Sequence, residues 1–377
     1  MNPGIFLIQN NEELVEMNEQ QYDSEKLLQD WLARYPALLV GNQIDPDMPR
    51  RFLLIEQECG VPAKEGAGDR WKIDHMFLNQ AAVPTIVEVK RSTDTRVRRE
   101  VVGQILDYAA NAVVHWPVSQ MRERFTANCK SSGIDGEEKL REFLEEEVEP
   151  EEFWQKAESN LKERRLRLVF IADRIPSELQ SIVEFLNEQM DHTEVLAIEI
   201  KQYVSKQGLR SLVPRVIGQT SKAREVKAPP GGRSRTSEDE FFANLHDRSA
   251  EAARVAMQIL DWSRRNFTVV EWEAASFVPK LDYGAEFSHN PITVFGLGRV
   301  PRVSIKFGRM KNRNHLSEEV RLELKRRLNE IEGVNLDSID KFPAIPLSLL
   351  ATEPDLERFL SAIAWTIEQV KTTENDQ

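Results

Sequence analysis

The chain has 377 residues, enough for two domains at roughly 150 residues each. Hydrophobic residues make up 41% and charged residues 30%, the balance of a soluble globular protein. No run approaches the roughly 18 apolar residues of a membrane span, which excludes a transmembrane chain. The net charge of −12 excludes a protein that coats nucleic acid by bulk charge, while leaving local basic patches open.

Met1-Asn2-Pro3-Gly4 opens no basic region followed by an apolar core, so no secretory signal is expected. Cys59 and Cys129 are too few for a disulfide scaffold or a cysteine-rich zinc site, which fits a reducing cytoplasm. The clearest break is 218–237, where Pro229-Pro230-Gly231-Gly232 sits in a polar, basic run. It reads as a flexible linker between a first domain, 1–217, and a second, 238–372.

In the first domain, Ile5-Phe6-Leu7-Ile8 is a short apolar segment. A helix is expected from Ser24 to Tyr35, capped by Asp23 or Ser24 and ended by Pro36. Leu28, Trp31, Leu32 and Tyr35 recur in it at helical spacing. Extended segments follow at Arg51–Cys59, Trp71–Leu78 and Thr85–Lys90. In the last of these, Val87 and Val89 point to one face, and Ile86, Glu88 and Lys90 to the other.

A second helix is expected from Arg96 to Ala112, on the stripe Val97, Val101, Ile105, Ala109 and Ala112. The acidic run Glu142–Glu152 reads as a solvated helical face or loop. Strands at Leu166–Ala172 and Val195–Ile200, joined by a helix starting at Pro176, form a βαβ-like unit. The fold class is therefore α/β, a mixed sheet with helices.

The second domain reads as α+β. One long helix spans Phe241–Arg265, and strands follow at Thr268–Trp272, Ile292–Phe295 and Val303–Phe307. Helices close it at Ser317–Ile331 and Pro354–Val370.

The informative constellation is Asp74 in one strand and Glu88-Val89-Lys90 in the next. If the strands are neighbours, two carboxylates and an ammonium converge on one sheet edge. Two carboxylates make a hard oxygen site for Mg²⁺, which polarises a phosphodiester oxygen and acidifies a bound water. A lysine beside it stabilises charge on the phosphorus. Taken alone, Glu-x-Lys is an ordinary cross-sheet ion pair. Glu199-Ile200-Lys201 repeats the spacing, but its upstream strand, Leu166–Ala172, carries no carboxylate, although Asp173 follows directly; it reads as a strand end with solvated charges.

Arg91, Arg96, Arg98 and Arg99 follow the first site directly. Cations at a helix N-terminus oppose its dipole, so their place there suits a phosphate backbone. Gln104 and, one turn on, Tyr108 flank the apolar stripe of that helix. Glu25 stands similarly at the start of the earlier one.

Taken in order, Glu25, Ile73-Asp74-His75, Val87-Glu88-Val89-Lys90-Arg91 and Gly103-Gln104-Ile105-Leu106-Asp107-Tyr108 resemble the PD-(D/E)XK nuclease superfamily, of restriction-endonuclease-like fold. The likeness is nearest to the branch of mismatch-type endonucleases and their bacterial homologues. It extends over Phe170-Ile171-Ala172-Asp173 and Val213-Pro214-Arg215. Ile73 stands where the family name has proline.

The resemblance implies a central mixed sheet flanked by helices, with Asp74, Glu88 and the Val89 carbonyl as metal ligands. It implies Lys90 as the catalytic lysine, Glu25 binding the metal through water, and Gln104 positioning the lysine, the water or the nucleic acid. The cofactor would be Mg²⁺, with Mn²⁺ as a substitute. The products would carry a 5′-phosphate and a 3′-hydroxyl.

Six histidines show no metal-ligand pairing, and Gly296-Leu297-Gly298 is too short for a dinucleotide site. Arg299, Arg302, Lys306, Arg309, Lys311 and Arg313 form a run without an acid. It reads equally as a ribbon for nucleic acid or a phosphorylated molecule and as an exposed hairpin with solvated charges.

The expectation is a metal-dependent endonuclease acting on DNA, in anti-phage defence or repair, with no membrane partner and a homodimer as one arrangement. Two rivals stand beside it: a non-catalytic nucleic-acid-binding or regulatory protein on a nuclease scaffold, and a nuclease gated by a small-molecule ligand of the second domain. Metal-dependent turnover separates the first rival, and nucleotide-dependent activation the second.

Overall fold

Apolar strands from the first 217 residues assemble into one eight-stranded sheet. The computed structural model describes residues 4–8, 13–45, 49–62, 69–92, 102–107, 110, 117–219, 237–273, 276–281, 291–311 and 316–375. The chain divides into two units. The first is Met1–Gly136 with Phe153–Pro229, and the second is Glu137–Glu152 with Pro230–Gln377. Residues 137–152, expected in the first domain, thus belong to the second unit. Most of the expected linker, 220–236, lies outside the described residues.

The first unit is mixed α/β. Its strands are β1 (Ile5–Ile8), β2 (Leu14–Glu19), β3 (Phe52–Pro62), β4 (Asp69–Asn79), β5 (Pro84–Lys90), β6 (Arg167–Ala172), β7 (Glu194–Ser205) and β8 (Arg210–Ile217). The order is β1-β2-β7-β6-β5-β4-β3, with β8 also paired to β7. β5, β6 and β7 run parallel, and the remaining pairings are antiparallel. Every residue of β6 is buried, and after Arg167, paired with Glu194, it is an unbroken apolar run. Pro214 sits in β8, which pairs with β7 alone, where a missing N–H is tolerated.

Helix α1 (Glu25–Arg34) begins where expected, because Ser24 Oγ accepts the Leu27 N–H at 3.2 Å. Its Leu28 and Leu32 pack on Val87, Val89, Val169 and Ile171, the apolar face of the parallel strands. Tyr22, just before it, donates its hydroxyl to the Ile200 carbonyl at 2.9 Å. Helices α2 (Val118–Ser131), α4 (Pro150–Lys162) and α5 (Ser177–Gln189) follow, while α3 (Gly136–Phe143) falls almost wholly in the segment that belongs to the second unit. α5 links β6 to β7. Of the helix expected at Arg96–Ala112, residues 102–107 and 110 are helical. The rest lies outside the described residues.

The second unit has helices α6 (Glu238–Arg248), α7 (Ala250–Asn266), α8 (Glu318–Leu328) and α9 (Glu353–Asn375). They accompany strands β9 (Val269–Trp272), β10 (Ser276–Leu281), β11 (Ile292–Thr293), β12 (Phe295–Gly298), β13 (Arg302–Ile305) and β14 (Ala344–Pro346), which form an antiparallel sheet. Ile259 of α7 and Phe359 and Ile363 of α9 share one core with Phe277, Phe295, Leu297 and Val303 of the sheet. The single helix expected over Phe241–Arg265 is two helices. Ser249 is extended (φ −164°, ψ 113°), and its Oγ caps α7 through the Ala252 N–H.

The acidic run is not a solvated face. Glu145 and Glu147 are buried and close on Lys306, which is fully buried; Glu145 reaches its Nζ at 2.6 Å. Glu145 also pairs with Arg309, and Arg302 pairs with Glu146 and Glu149 at 2.7 and 3.2 Å. Arg299 pairs with Glu240 and Lys311 with Asp340. The expected basic ribbon is therefore neutralised inside its own unit; Arg313 lies outside the described residues. Glu145 and Glu146 hold left-handed backbone (φ 52° and 59°), a conformation that persists only where surrounding contacts over-determine it. Gly296 and Gly298 let the acidic segment lie flush on β12, since a Cβ on either would meet Glu147.

Among the described residues no helix is long and apolar enough to cross a membrane. Both cysteines are free and buried.

Candidate active site

The register of two strands brings the expected carboxylates together. Asn79, the last residue of β4, accepts N–H bonds from Ala81 and Val83 of the following turn on its Oδ1, at 3.1 and 2.8 Å. The turn places His75 opposite Val87, which sets Asp74 beside Glu88 on the same face. α1, seated on the neighbouring apolar face, brings Glu25 in its first turn to the same edge.

Four oxygens then surround one ammonium. Lys90 Nζ lies 2.8 Å from Glu88 Oε1, 3.5 Å from Glu25 Oε1 and 3.8 Å from Asp74 Oδ2. It donates to the Val89 carbonyl at 3.0 Å. Asp74 Oδ2 accepts the Val89 N–H at 2.7 Å, and the Gln29 side chain bonds the same carboxylate. Glu88 is 1% exposed, and its Oε2 has no hydrogen-bond partner among the described residues.

The electrostatics follow from this crowding. Three carboxylates face one ammonium, so full ionisation leaves two negative charges in excess. Burial, then the charge of Asp74, pushes the Glu88 carboxyl up to about 7, with Lys90 working against the rise. Burial raises Asp74 as well, opposed by Lys90 and by the Val89 and Gln29 hydrogen bonds. For Lys90, burial favours loss of the proton, but Glu88, Asp74 and Glu25 more than offset it and the net shift is upward.

A divalent cation fits this donor set. The oxygens already converge on a positive group, one buried carboxylate oxygen is unmatched, and the surplus charge equals that of such an ion. Among the described residues no group of three or more His, Cys, Asp or Glu side chains could hold a metal. A cation here would rest on Asp74, Glu88 and the Val89 carbonyl, completed by water. That arrangement suits Mg²⁺, which keeps much of its hydration, better than a fully protein-ligated ion.

This predicts a linkage to pH. A carboxyl whose folded value exceeds its ordinary 4.5 contributes stability below 4.5, lost as pH rises through about 7. Without divalent cation, the stability of native protein relative to Glu88→Gln should fall by on the order of 3 kcal/mol between pH 4.5 and 8. Mg²⁺ should restore most of it to the native protein only. Thermal melts of both across that range check this, and parallel curves would contradict it.

The other expected residues are placed less completely. Gln104 lies half-buried on the helical stretch 102–107. Arg96, Arg98, Arg99 and Tyr108 lie outside the described residues. Arg91 is half-buried; its Nη1 reaches the Asp23 carbonyl at a long 3.5 Å, and its Nε is buried without a partner among the described residues.

The second Glu-x-Lys differs from its expectation. Glu199 is buried and accepts the Ile175 N–H at 3.0 Å, and Lys201 pairs with Glu19. It is a structural pair rather than a solvated strand end. His75 is buried on the α1 side, with Nε2 2.8 Å from the Gln29 carbonyl. Burial lowers its pKa to about 4, so the ring is neutral.

Gln29 was not singled out from the sequence, although its place one turn after Glu25 puts it on the same helix face. Asp173 and Ser92, joined beyond the end of β5, were missed as well. A cleft of about 760 Å³ uses another face of α1, through Asp30 and Arg34 together with Glu56 and Arg124. It contains none of the residues around Lys90.

Comparison with known proteins returns no matching family model, no matching curated protein and no matching solved structure.

Proposed function

We propose that the first unit is a divalent-metal-dependent nuclease of restriction-endonuclease-like fold, hydrolysing phosphodiester bonds in DNA. The observation that carries this reading is the convergence of Glu25, Asp74, Glu88 and the Val89 carbonyl on one ammonium, with Glu88 Oε2 unmatched. The mixed sheet, with Glu25 on a flanking helix and the two strand carboxylates side by side, supports the PD-(D/E)XK likeness drawn from the sequence.

In this reading Asp74, Glu88 and the Val89 carbonyl hold Mg²⁺, and Glu25 acts through water. The ion, when bound, supplies Lewis-acid polarisation of the phosphoryl oxygen and a water of lowered pKa. In the metal-free protein its carboxylates hold Lys90 protonated, and in this reading it would donate to a phosphoryl oxygen as negative charge builds. A water oxygen bonds to phosphorus as the bond to the 3′ oxygen breaks. The water's proton passes to bulk solvent and the leaving 3′ oxygen takes one from solvent water, giving a 5′-phosphate and a 3′-hydroxyl. Gln29 keeps Asp74 oriented. Arg91 offers guanidinium donors to a neighbouring phosphate.

Substrate class is tested by incubating the protein with linear duplex DNA, single-stranded DNA and RNA in Mg²⁺ or Mn²⁺, with end-group analysis of the products. DNA fragments bearing 5′-phosphates are expected. Metal-dependent cutting of RNA alone would overturn the choice of substrate.

A further inference from the structure

The parallel strands beside β5 lead into carboxylates that the chemistry above leaves unused. Asp173 follows β6 directly, and Glu199 lies in β7 in register with Ala172. Each accepts an N–H from the loop leaving the neighbouring strand. Glu199 Oε2 takes that of Ile175 at 3.0 Å, and Asp173 Oδ1 takes that of Ser92 at 2.7 Å. Asp173 uses both oxygens, since Oδ2 also accepts the Ser92 hydroxyl at 2.9 Å. At 7% exposure this grip meets little competition from water.

Ser92 stands two residues beyond Lys90. Lys90 is still in the β5–β6 ladder opposite Ala172, and the next residue of that same strand holds Ser92. Arg91 is therefore fixed on both sides. Among the described residues, its guanidinium has a buried Nε without a partner and a long bond from Nη1. Spare donors of this kind suit a phosphate oxygen, but only where the backbone that carries them has one direction.

We infer that Asp173 is a positioning residue for the nucleic-acid backbone. Through Ser92 it fixes the exit of β5, so that Arg91 meets a phosphate that flanks the site around Lys90. The inference rests on the nuclease reading above. Asp173 touches no reacting atom in this scheme.

Hydrogen bonding and charge make opposite demands here, which gives the test its power. As an anion beside a phosphate path, Asp173 opposes binding; as a clamp, it promotes it. Asn at this position keeps an acceptor for the Ser92 N–H and offers its amide to the Ser92 hydroxyl. Ala keeps neither.

Duplex DNA affinity is measured by fluorescence anisotropy in Mg²⁺ on Lys90→Ala protein, where turnover is suppressed, with Asp173 native, Asp173→Ala or Asp173→Asn. Amide exchange at Ser92 is followed in parallel. Cleavage kinetics are measured for the two Asp173 variants in the otherwise native chain.

Asp173→Ala is expected to weaken binding by about tenfold and to raise KM by a similar factor, with kcat within about threefold. Ser92 exchange is expected to quicken in the same variant, and Asp173→Asn to stay within about threefold of native throughout. Unchanged affinity in Asp173→Ala overturns the inference, as does equal weakening in both variants or tighter binding in both. If the native chain binds DNA without cutting it, the nuclease reading falls while the affinity and exchange data still decide the role of Asp173. If Lys90→Ala protein binds no DNA, both fall.

Discussion

Lys90→Ala lowers the rate constant for DNA cleavage by about 10³-fold or more at saturating Mg²⁺ and DNA, with the chain still folded. Among the described residues, Lys90 is the cation on which Glu25, Asp74 and Glu88 converge. In the proposed reaction its contribution would come as charge builds on the phosphoryl group, so kcat should carry the loss and KM should change little. Glu88→Ala should lose as much, because it removes the proposed ligand whose second oxygen is unmatched among the described residues. Single-turnover kinetics on a labelled duplex measure both, with circular dichroism in Mg²⁺ as the folding control. Activity within about tenfold of native in both variants would remove this site from the reaction.

Lys306→Met destabilises the second unit by about 3–5 kcal/mol. Lys306 is wholly buried between Glu145 and Glu147, and its loss strands two carboxylates without their shared cation. Arg309 compensates only in part, because its guanidinium is already engaged with Glu145. Replacing the three charges together, as Glu145→Gln, Lys306→Met and Glu147→Gln, should recover much of the loss, since the buried lysine and its two carboxylates are then all neutral and Arg309 keeps Glu273 as a partner. Urea unfolding of the full chain resolves the two cases. A single-variant effect below about 1 kcal/mol would show that water reaches the cluster.

What the sequence could reveal follows from how far each signal travels along the chain. α1 was legible because its cap, its apolar stripe and the proline after it lie within a dozen residues. β4 and β5 were legible for the same reason, and their short connection made neighbouring strands the natural arrangement. The constellation of Asp74, Glu88 and Lys90 could therefore be read from local pattern alone.

Longer-range features could not. The acidic run read as solvated because its partners, Arg302 to Arg309, stand some 150 residues further on. The grip of Asp173 on Ser92 spans 81 residues and has no periodic signature. The break at Ser249 was hidden by apolar spacing that continues across it, although a serine three residues before Ala252 was a local clue. β2 was overlooked despite an alternation that buries Val15 and Met17.

The most direct test of the central claim uses supercoiled plasmid, incubated with native protein in Mg²⁺, with and without EDTA. Conversion to open-circular or linear DNA in Mg²⁺, abolished by EDTA, is the predicted result. Plasmid left intact in Mg²⁺ and in Mn²⁺, or cut equally well in EDTA, would contradict a metal-dependent nuclease built on Asp74, Glu88 and Lys90.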